Sequence, residues 1–219
     1  MTTNKFKNRL FGRTRGRSKK KIDIKNYLSK LEKYKLPKFD KNINYILDIG
    51  TGYGETSIYL SKYFPNSIII SCEKYIDGNL NLLQKIDTNR IKNIFLHPGN
   101  VLEIFENNIK QQYFEKVWIF FPDPWPKKKH FKRRLINIDF LKTIYPFIKN
   151  HGQISIVTDS TSYYRFIIKT IFNSKKQYIW KNQHTSHLNF KDYYSFETKY
   201  YKKAIISTRK PSLLILEKI

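Results

Sequence analysis

Cysteine occurs once in this chain of 219 residues, at Cys72, so no intrachain disulfide can brace the fold. Its run, Ser67–Cys72, reads as a buried strand, and the pattern favours a reduced compartment. Acid is scarce too: 17 Asp and Glu stand against 42 Lys and Arg, a formal charge of +25. No segment approaches the roughly 18 consecutive apolar residues of a membrane span. The N-terminus carries a basic arm where a signal peptide would have an apolar core. The expectation is a cytoplasmic protein with no membrane partner. Internal repeats and long low-complexity segments are also missing, which argues against a solenoid or a linker-rich protein.

What is present is enough for a core. Hydrophobic residues make up 40% and aromatics 16%, the balance of a globular chain long enough for one sizeable α/β domain. Residues 1–22 differ, with nine Lys and Arg and no acid, and Gly and Arg alternate from Phe11 to Arg17. Burying them would make them repel one another, so they read as a mobile arm, and 23–219 as a single domain. The positive charge gathers at Lys5–Lys21 and Lys127–Arg134, which points to a polyanion partner.

From Asn44 onward, short apolar runs alternate with helical patterns. Strands are expected at Tyr45–Ile49, Ser67–Cys72, Asn93–Leu96, Val117–Phe121 and Gln153–Thr158. Helices are expected at Glu55–Phe64, Asp77–Ile86, Val101–Gln112, Ile136–Lys149 and Ser160–Phe172. Such βαβ alternation predicts an α/β fold: a doubly wound, mostly parallel sheet with helices on both faces, Rossmann-like. After Tyr178 the alternation fails, leaving a polar and aromatic stretch with His184 and His187, then Ser212–Glu217 as a last strand.

Ligands of a doubly wound sheet bind beyond the C-terminal ends of its strands. The first such end reads Leu47-Asp48-Ile49-Gly50-Thr51-Gly52-Tyr53-Gly54. Its G-x-G-x-G spacing, with Gly50 and Gly52 at its centre, departs from the G-x-G-x-x-G of dinucleotide sites. Asp48, just before the loop, suits a ligand's ammonium and would repel a pyrophosphate. Glu73 ends the second strand, 19 residues after Gly54, where an acid accepts from both ribose hydroxyls. Asn100, after the third strand, suits an adenine edge. The set asks for an adenosine carrying an amino acid and no phosphate, which S-adenosylmethionine fits better than NAD.

The fourth strand end is the most distinctive part of the chain: VWIFFPDPWPKKKHFKRR, from Val117 to Arg134. An apolar strand runs into Pro122-Asp123-Pro124-Trp125-Pro126, a rigid elbow holding an acid and an indole among three prolines. Six of the next eight residues are basic. A carboxylate and an aromatic beside a dense cationic patch suit a planar group on a polyanion, which points to chemistry on a nucleic-acid base.

These motifs resemble the bacterial tRNA (guanine-N7-)-methyltransferases, which install 7-methylguanosine in the tRNA variable loop. The resemblance runs from about Tyr45 to the C-terminus. Phe120–Arg134 looks like the family signature F-P-D-P-W-x-K-x-x-H-x-[KR]-R. Thr158-Asp159 matches the family's fifth-strand end, and Thr198-Lys199-Tyr200 its late T-[RK]-[FY]-E motif. The resemblance implies that Asp48, Glu73, Asn100 and Asp123 line the S-adenosylmethionine site, with no metal. It implies that Asp123 also faces the target guanine. Lys127, Asp159, Thr198, Lys199, Tyr200 and Tyr201 would contact the tRNA substrate, and Lys129, His130, Lys132, Arg133 and Arg134 would lie along the RNA. Two positions depart from the family: Asn100 stands where Asp is usual, and Tyr201 where the late motif ends in Glu. Monomer and homodimer both remain open.

Guanine N7 has an in-plane lone pair and no proton, so attack on a sulfonium methyl needs no general base. Asp123 then reads as an aligning and electrostatic group. Trp125 reads either as a stacking platform for the base or as a core plug of the strand end. Three rivals stand beside this reading. An amino-methyltransferase would use [DNS]-P-P-[YFW], whereas here the acid lies between the prolines. A non-catalytic RNA-binding protein would not need Asp48, Glu73 and Asn100 at successive strand ends. An NAD-dependent reductase is disfavoured by the glycine spacing.

Overall fold

The computed structural model describes residues 23–107, 112–174, 176–182 and 194–219. The expectations for the arm at 1–22 and for His184 and His187 fall outside them. The described residues belong to two compact units, 23–107 in the first and 112–219 in the second. Among the described residues no helix is long and apolar enough to cross a membrane.

The first unit runs α1 (Ile24–Lys33), β1 (Asn44–Ile49), α2 (Glu55–Tyr63), β2 (Ser67–Cys72), α3 (Ile76–Asn89), β3 (Ile94–His97) and α4 (Val101–Asn107). Its strands lie in the order β3-β2-β1, all parallel, with Ile46 opposite Ile69 and Ile70 opposite Phe95. Five consecutive residues of β1, Tyr45 to Ile49, are buried, as expected of a parallel strand covered on both faces. Leu60 of α2 and Leu82, Leu83 and Ile86 of α3 are fully buried, each contributing about 1.5–3 kcal/mol relative to exposure. The outer edge of β3 is closed by the chain after α1: Tyr34 O accepts from Leu96 N at 2.7 Å and Lys35 pairs with Leu96. Helix α1 was not expected. Asp23 caps it by accepting from Asn26 N at 3.0 Å, and it buries only Tyr27 and Leu31. Its Ile24, Tyr27, Leu28 and Leu31 fall at helical spacing, a pattern masked by the basic residues that crowd the stretch before it.

The second unit runs β4 (Phe114–Phe120), α5 (Ile138–Ile144), β5 (Ile148–Thr158), α6 (Thr161–Asn173), β6 (Tyr178–Trp180), α7 (Lys199–Ile206) and β7 (Ser212–Lys218), with 3₁₀ turns at Lys128–Arg133 and Tyr145–Phe147. β4 and β5 are parallel, with Ile119 opposite Ile156. β7 runs antiparallel to both β5 and β6, in the order β4-β5-β7-β6. The expected helix Ile136–Lys149 is cut short because Pro146 cannot continue an α-helix, and β5 begins two residues later. The expected helix to Gln112 does not include Gln112, whose φ is +54°. Around Ser160–Phe172 the expectation nearly holds, with Ser160 as the cap, accepting from Tyr163 N, and α6 starting at Thr161.

Candidate active-site residues

In the first unit the β1–α2 turn is built by glycine conformations. Gly50, Gly52 and Gly54 have φ of +78°, +58° and +83°, a left-handed run that L side chains rarely adopt. Gly50 N donates to Cys72 O at 2.8 Å, tying the turn to β2. Gly52 N donates to Glu73 Oε2 at 2.8 Å, and Tyr75 N to Glu73 Oε1 at 2.9 Å. Glu73 is thereby held rigid between the glycine turn and the start of α3. Each of its oxygens keeps lone-pair capacity after accepting one amide. A β-carbon added to Gly78 would lie 2.2 Å from Gly52 O, so α3 approaches the turn as closely as backbone allows. Gly78 was not singled out from the sequence. Its signal was there: a glycine in a helical pattern costs about 1 kcal/mol against alanine and usually has a packing reason.

Asp48 is almost fully buried at the end of β1. Its Oδ2 accepts from Ser57 Oγ at 2.6 Å, and Ser57 Oγ lies 2.6 Å from Ser71 Oγ. Burial pushes the Asp48 carboxyl up to about 7, against the pull of the Ser57 and Thr51 hydroxyls and with a further push from Glu73. Asn100 does more than was expected of it. Its Oδ1 accepts from Leu102 N at 3.0 Å at the start of α4, and its carbonyl lies 3.0 Å from His97 Nε2. The same imidazole nitrogen is 3.0 Å from Glu103 Oε2, so one histidine fastens the loop bearing Asn100.

In the second unit the Pro122-Asp123-Pro124 part of the elbow is bracketed by two aromatic residues in the left-handed region, Phe121 at φ +51° and Trp125 at φ +42°. Bulky residues rarely hold such angles unless their surroundings force them. Phe121 N donates to Val157 O at 2.8 Å, which extends the pairing of β4 with β5 to the lip of the elbow. Asp123 is exposed between them. Trp125 is half-buried, so it is not a core plug. The Arg133 guanidinium lies 5.0 Å from its ring centroid, and the His130 ring meets it edge-on at 5.7 Å.

The basic run divides. Lys127, Lys129 and Lys132 are exposed. Desolvation, then the charges of Arg133, Lys129 and Lys127, hold His130 below the ordinary imidazole value. Arg134 does not lie along an exposed surface, contrary to expectation: it is 1% exposed. Its Nε donates to Pro124 O at 2.9 Å, and its Nη atoms reach Ser162 Oγ at 2.9 Å and Ser162 O at 3.3 Å.

The late motif needs a similar correction. Thr198 is buried and caps α7, its Oγ1 accepting from Tyr201 N at 3.0 Å. Tyr201 is buried on that helix, where the expectation had it contacting the substrate. Lys199 is exposed. Tyr200 is 48% exposed, and its ring stacks on that of Phe121 with centroids 6.3 Å apart. Asp159 is paired with Arg209, Oδ2 to Nε at 2.8 Å, a partner the sequence did not suggest because 50 residues separate them.

A family model described as "Putative methyltransferase" matches residues 42–211. A bifunctional methyltransferase of Rickettsia conorii is 34% identical over 218 residues, covering 97% of this chain. The chain spans 40% of the length of that relative. Among solved structures, an rRNA methylase from Streptococcus thermophilus has a TM-score of 0.53 at 13% identity, over 91% of this chain and 98% of that one. That likeness is one of fold, and it is the α/β class expected from the alternation of strands and helices. A tRNA (guanine-N(7)-)-methyltransferase of Wolbachia pipientis wMel is 33% identical over 214 residues, covering 94% of this chain and 91% of that protein. By a similarity that spans nearly the whole of both sequences, the chain belongs to the tRNA (guanine-N(7)-)-methyltransferase family.

Proposed function

We propose that the chain methylates N7 of a guanine in tRNA, forming 7-methylguanosine, with S-adenosylmethionine as donor. The observation that carries this reading is the kinship with the Wolbachia enzyme, whose name states that activity and whose length is matched to 91%. The variable loop as the place of the target guanine follows from the resemblance of the signature at Phe120–Arg134.

The donor-side residues fit the donor. Space beside Gly50 is open, with nothing within 4 Å of where a β-carbon would be, so a ligand can approach the backbone there. Glu73, braced by two amides, has acceptor capacity left for a ribose diol. Asn100 offers its Nδ2 donors and the second lone pair of its capping oxygen to an adenine edge. Asp48, a buried carboxyl pushed up to about 7, gains from a cationic partner, and an amino acid's ammonium is one. When bound, S-adenosylmethionine supplies a methyl group on an electrophilic sulfonium. Lys85 Nζ, in α3, donates to Tyr53 O at 2.8 Å.

On the substrate side, Asp123 accepts from guanine N1–H and N2–H₂ and offsets the charge of the cationic product ring. No proton leaves N7, so it need not act as a base. Its contribution is alignment, which in favourable intramolecular cases is worth up to roughly 7–11 kcal/mol. Tyr200 offers an exposed face beside Phe121. Lys127, Lys129 and Lys132 neutralise tRNA phosphates, and Lys199 adds a cation near Tyr200.

Calorimetry with S-adenosylhomocysteine separates this reading from that of a non-catalytic RNA-binding protein. Saturable binding at one site per chain is expected. No heat at any concentration, alongside intact tRNA binding, would leave the rival standing.

A further inference from the structure

We propose that Arg134 is a positioning residue for methyl transfer: buried behind the elbow, it holds the Pro124–Trp125 peptide and so the direction in which Asp123 is presented. The proposal rests on the reading of Asp123 as the group that aligns the guanine.

The sequence places Arg134 last in a run of cations, which suggests RNA. The structure turns it inward. Its neighbours Lys127, Lys128, Lys129 and Lys132 are exposed, while Arg134 is 1% exposed. A buried cation is costly unless its donors and its faces are met. Here the donors meet three oxygens, Pro124 O, Ser162 O and Ser162 Oγ. The guanidinium carbon lies 3.7 Å from the Phe131 ring centroid and 4.9 Å from those of Tyr163 and Phe166. Each ring presents its negative face to a cation, an arrangement that suits a planar guanidinium.

What Arg134 grips gives the contact its meaning. Pro124 O belongs to the peptide that leads into Trp125, whose φ of +42° is a strained value for an indole residue. Strain of this kind persists only where the surroundings over-determine the backbone. Arg134 fixes that peptide, and Arg133 lies over the indole it carries. Two adjacent arginines thus hold one residue, by its backbone and by its ring, one step from Pro124 and two from Asp123. The other end of the clamp is the first turn of α6. Tyr163 in that turn accepts from Ile136 N at 2.8 Å, so the anchor is itself tied down on the far side of Arg134.

A lysine at 134 keeps the charge and loses the planar fork, so it cannot reach Pro124 O and Ser162 together. Arg134→Lys, Ser162→Ala and Asp123→Asn are to be compared with the native enzyme in steady-state methylation of tRNA, tRNA binding at several salt concentrations, and thermal unfolding. Arg134→Lys should lower kcat by about 10- to 100-fold, the scale of an ångström-sized misplacement. Its tRNA Kd should stay within about twofold and its salt dependence unchanged, since Arg134 neutralises no phosphate. Ser162→Ala, which removes one of the three acceptors, should lower kcat severalfold in a protein that unfolds near the native temperature. If Arg134→Lys fails to fold, Ser162→Ala decides alone. Native kcat in either folded variant would overturn the proposal. So would a weaker tRNA Kd with a flattened salt slope, which would make Arg134 an RNA contact. Asp123→Asn separates the two layers: if it keeps native kcat, the reading of Asp123 fails; if it is inactive while Arg134→Lys is native, only the positioning role fails.

Discussion

Asp48 sits at the end of β1 with its carboxylate against Ser57, while Asp123 stands exposed at the elbow after β4. The two acids looked alike in the sequence, each at a strand end; burial is what separates them. Burial pushes the Asp48 carboxyl up to about 7. Only the ionised form attracts a ligand's ammonium, so affinity for S-adenosylhomocysteine should weaken as pH falls through about 7, approaching tenfold per unit. Calorimetric titration from about pH 5.5 to about 8.5 checks this, within the range where such a carboxyl titrates. Asp48→Asn should bind weakly with a flat profile, and an unchanged profile would remove Asp48 from the donor site. Asp123→Ala should cut turnover by about 100-fold or more while tRNA binding persists; full turnover would contradict its role. Arg134 and Tyr201 show where residue type misleads. An arginine in a basic run and a tyrosine in a motif carry no mark of which way they point, and the oxygens that hold Arg134 inward come in part from Ser162, 28 residues on.

At the scale of elements, the β1–α2 turn works as a joint between β2 and α3. Glu73 links it to both, and Gly78 lets α3 close on it. Gly78→Ala should destabilise the protein by about 1–3 kcal/mol, the usual cost of overpacking, because backbone and not a flexible side chain stands in the way. It should also weaken S-adenosylhomocysteine binding in the same calorimetry, since the displaced carbonyl belongs to Gly52. Native affinity and native melting would show that the turn is less confined than described. The parallel strands β1 to β5 were legible because each is an apolar run bounded by turn residues, and so were the helices between them. The elements that were missed differ in cause. α1 carries a helical pattern of Ile24, Tyr27, Leu28 and Leu31 that stood beside a long basic stretch. β6 is three residues long, too short for a period, and α7 follows a threonine that reads as a motif and acts as its cap. The antiparallel placement of β7 depends on pairings with β5 and β6 that no local pattern encodes.

For the molecule as a whole, 42 basic residues stand against 17 acidic ones, and within the run Lys127–Arg134 the fold exposes Lys127, Lys129 and Lys132 and turns Arg134 inward. Replacing Lys127, Lys129 and Lys132 together by alanine should weaken tRNA binding and flatten the log–log salt dependence by about 0.7–0.9 for each phosphate no longer neutralised. An unchanged slope would place the RNA on another face. The central claim, however, concerns chemistry and is tested by its product. The chain is to be incubated with methyl-labelled S-adenosylmethionine and unmodified tRNA, and the RNA digested to nucleosides. The account predicts label in 7-methylguanosine, and disappearance of that label with Asp123→Ala. Label in a base-amino methylated adenosine or cytidine, or none in RNA at all, would contradict it.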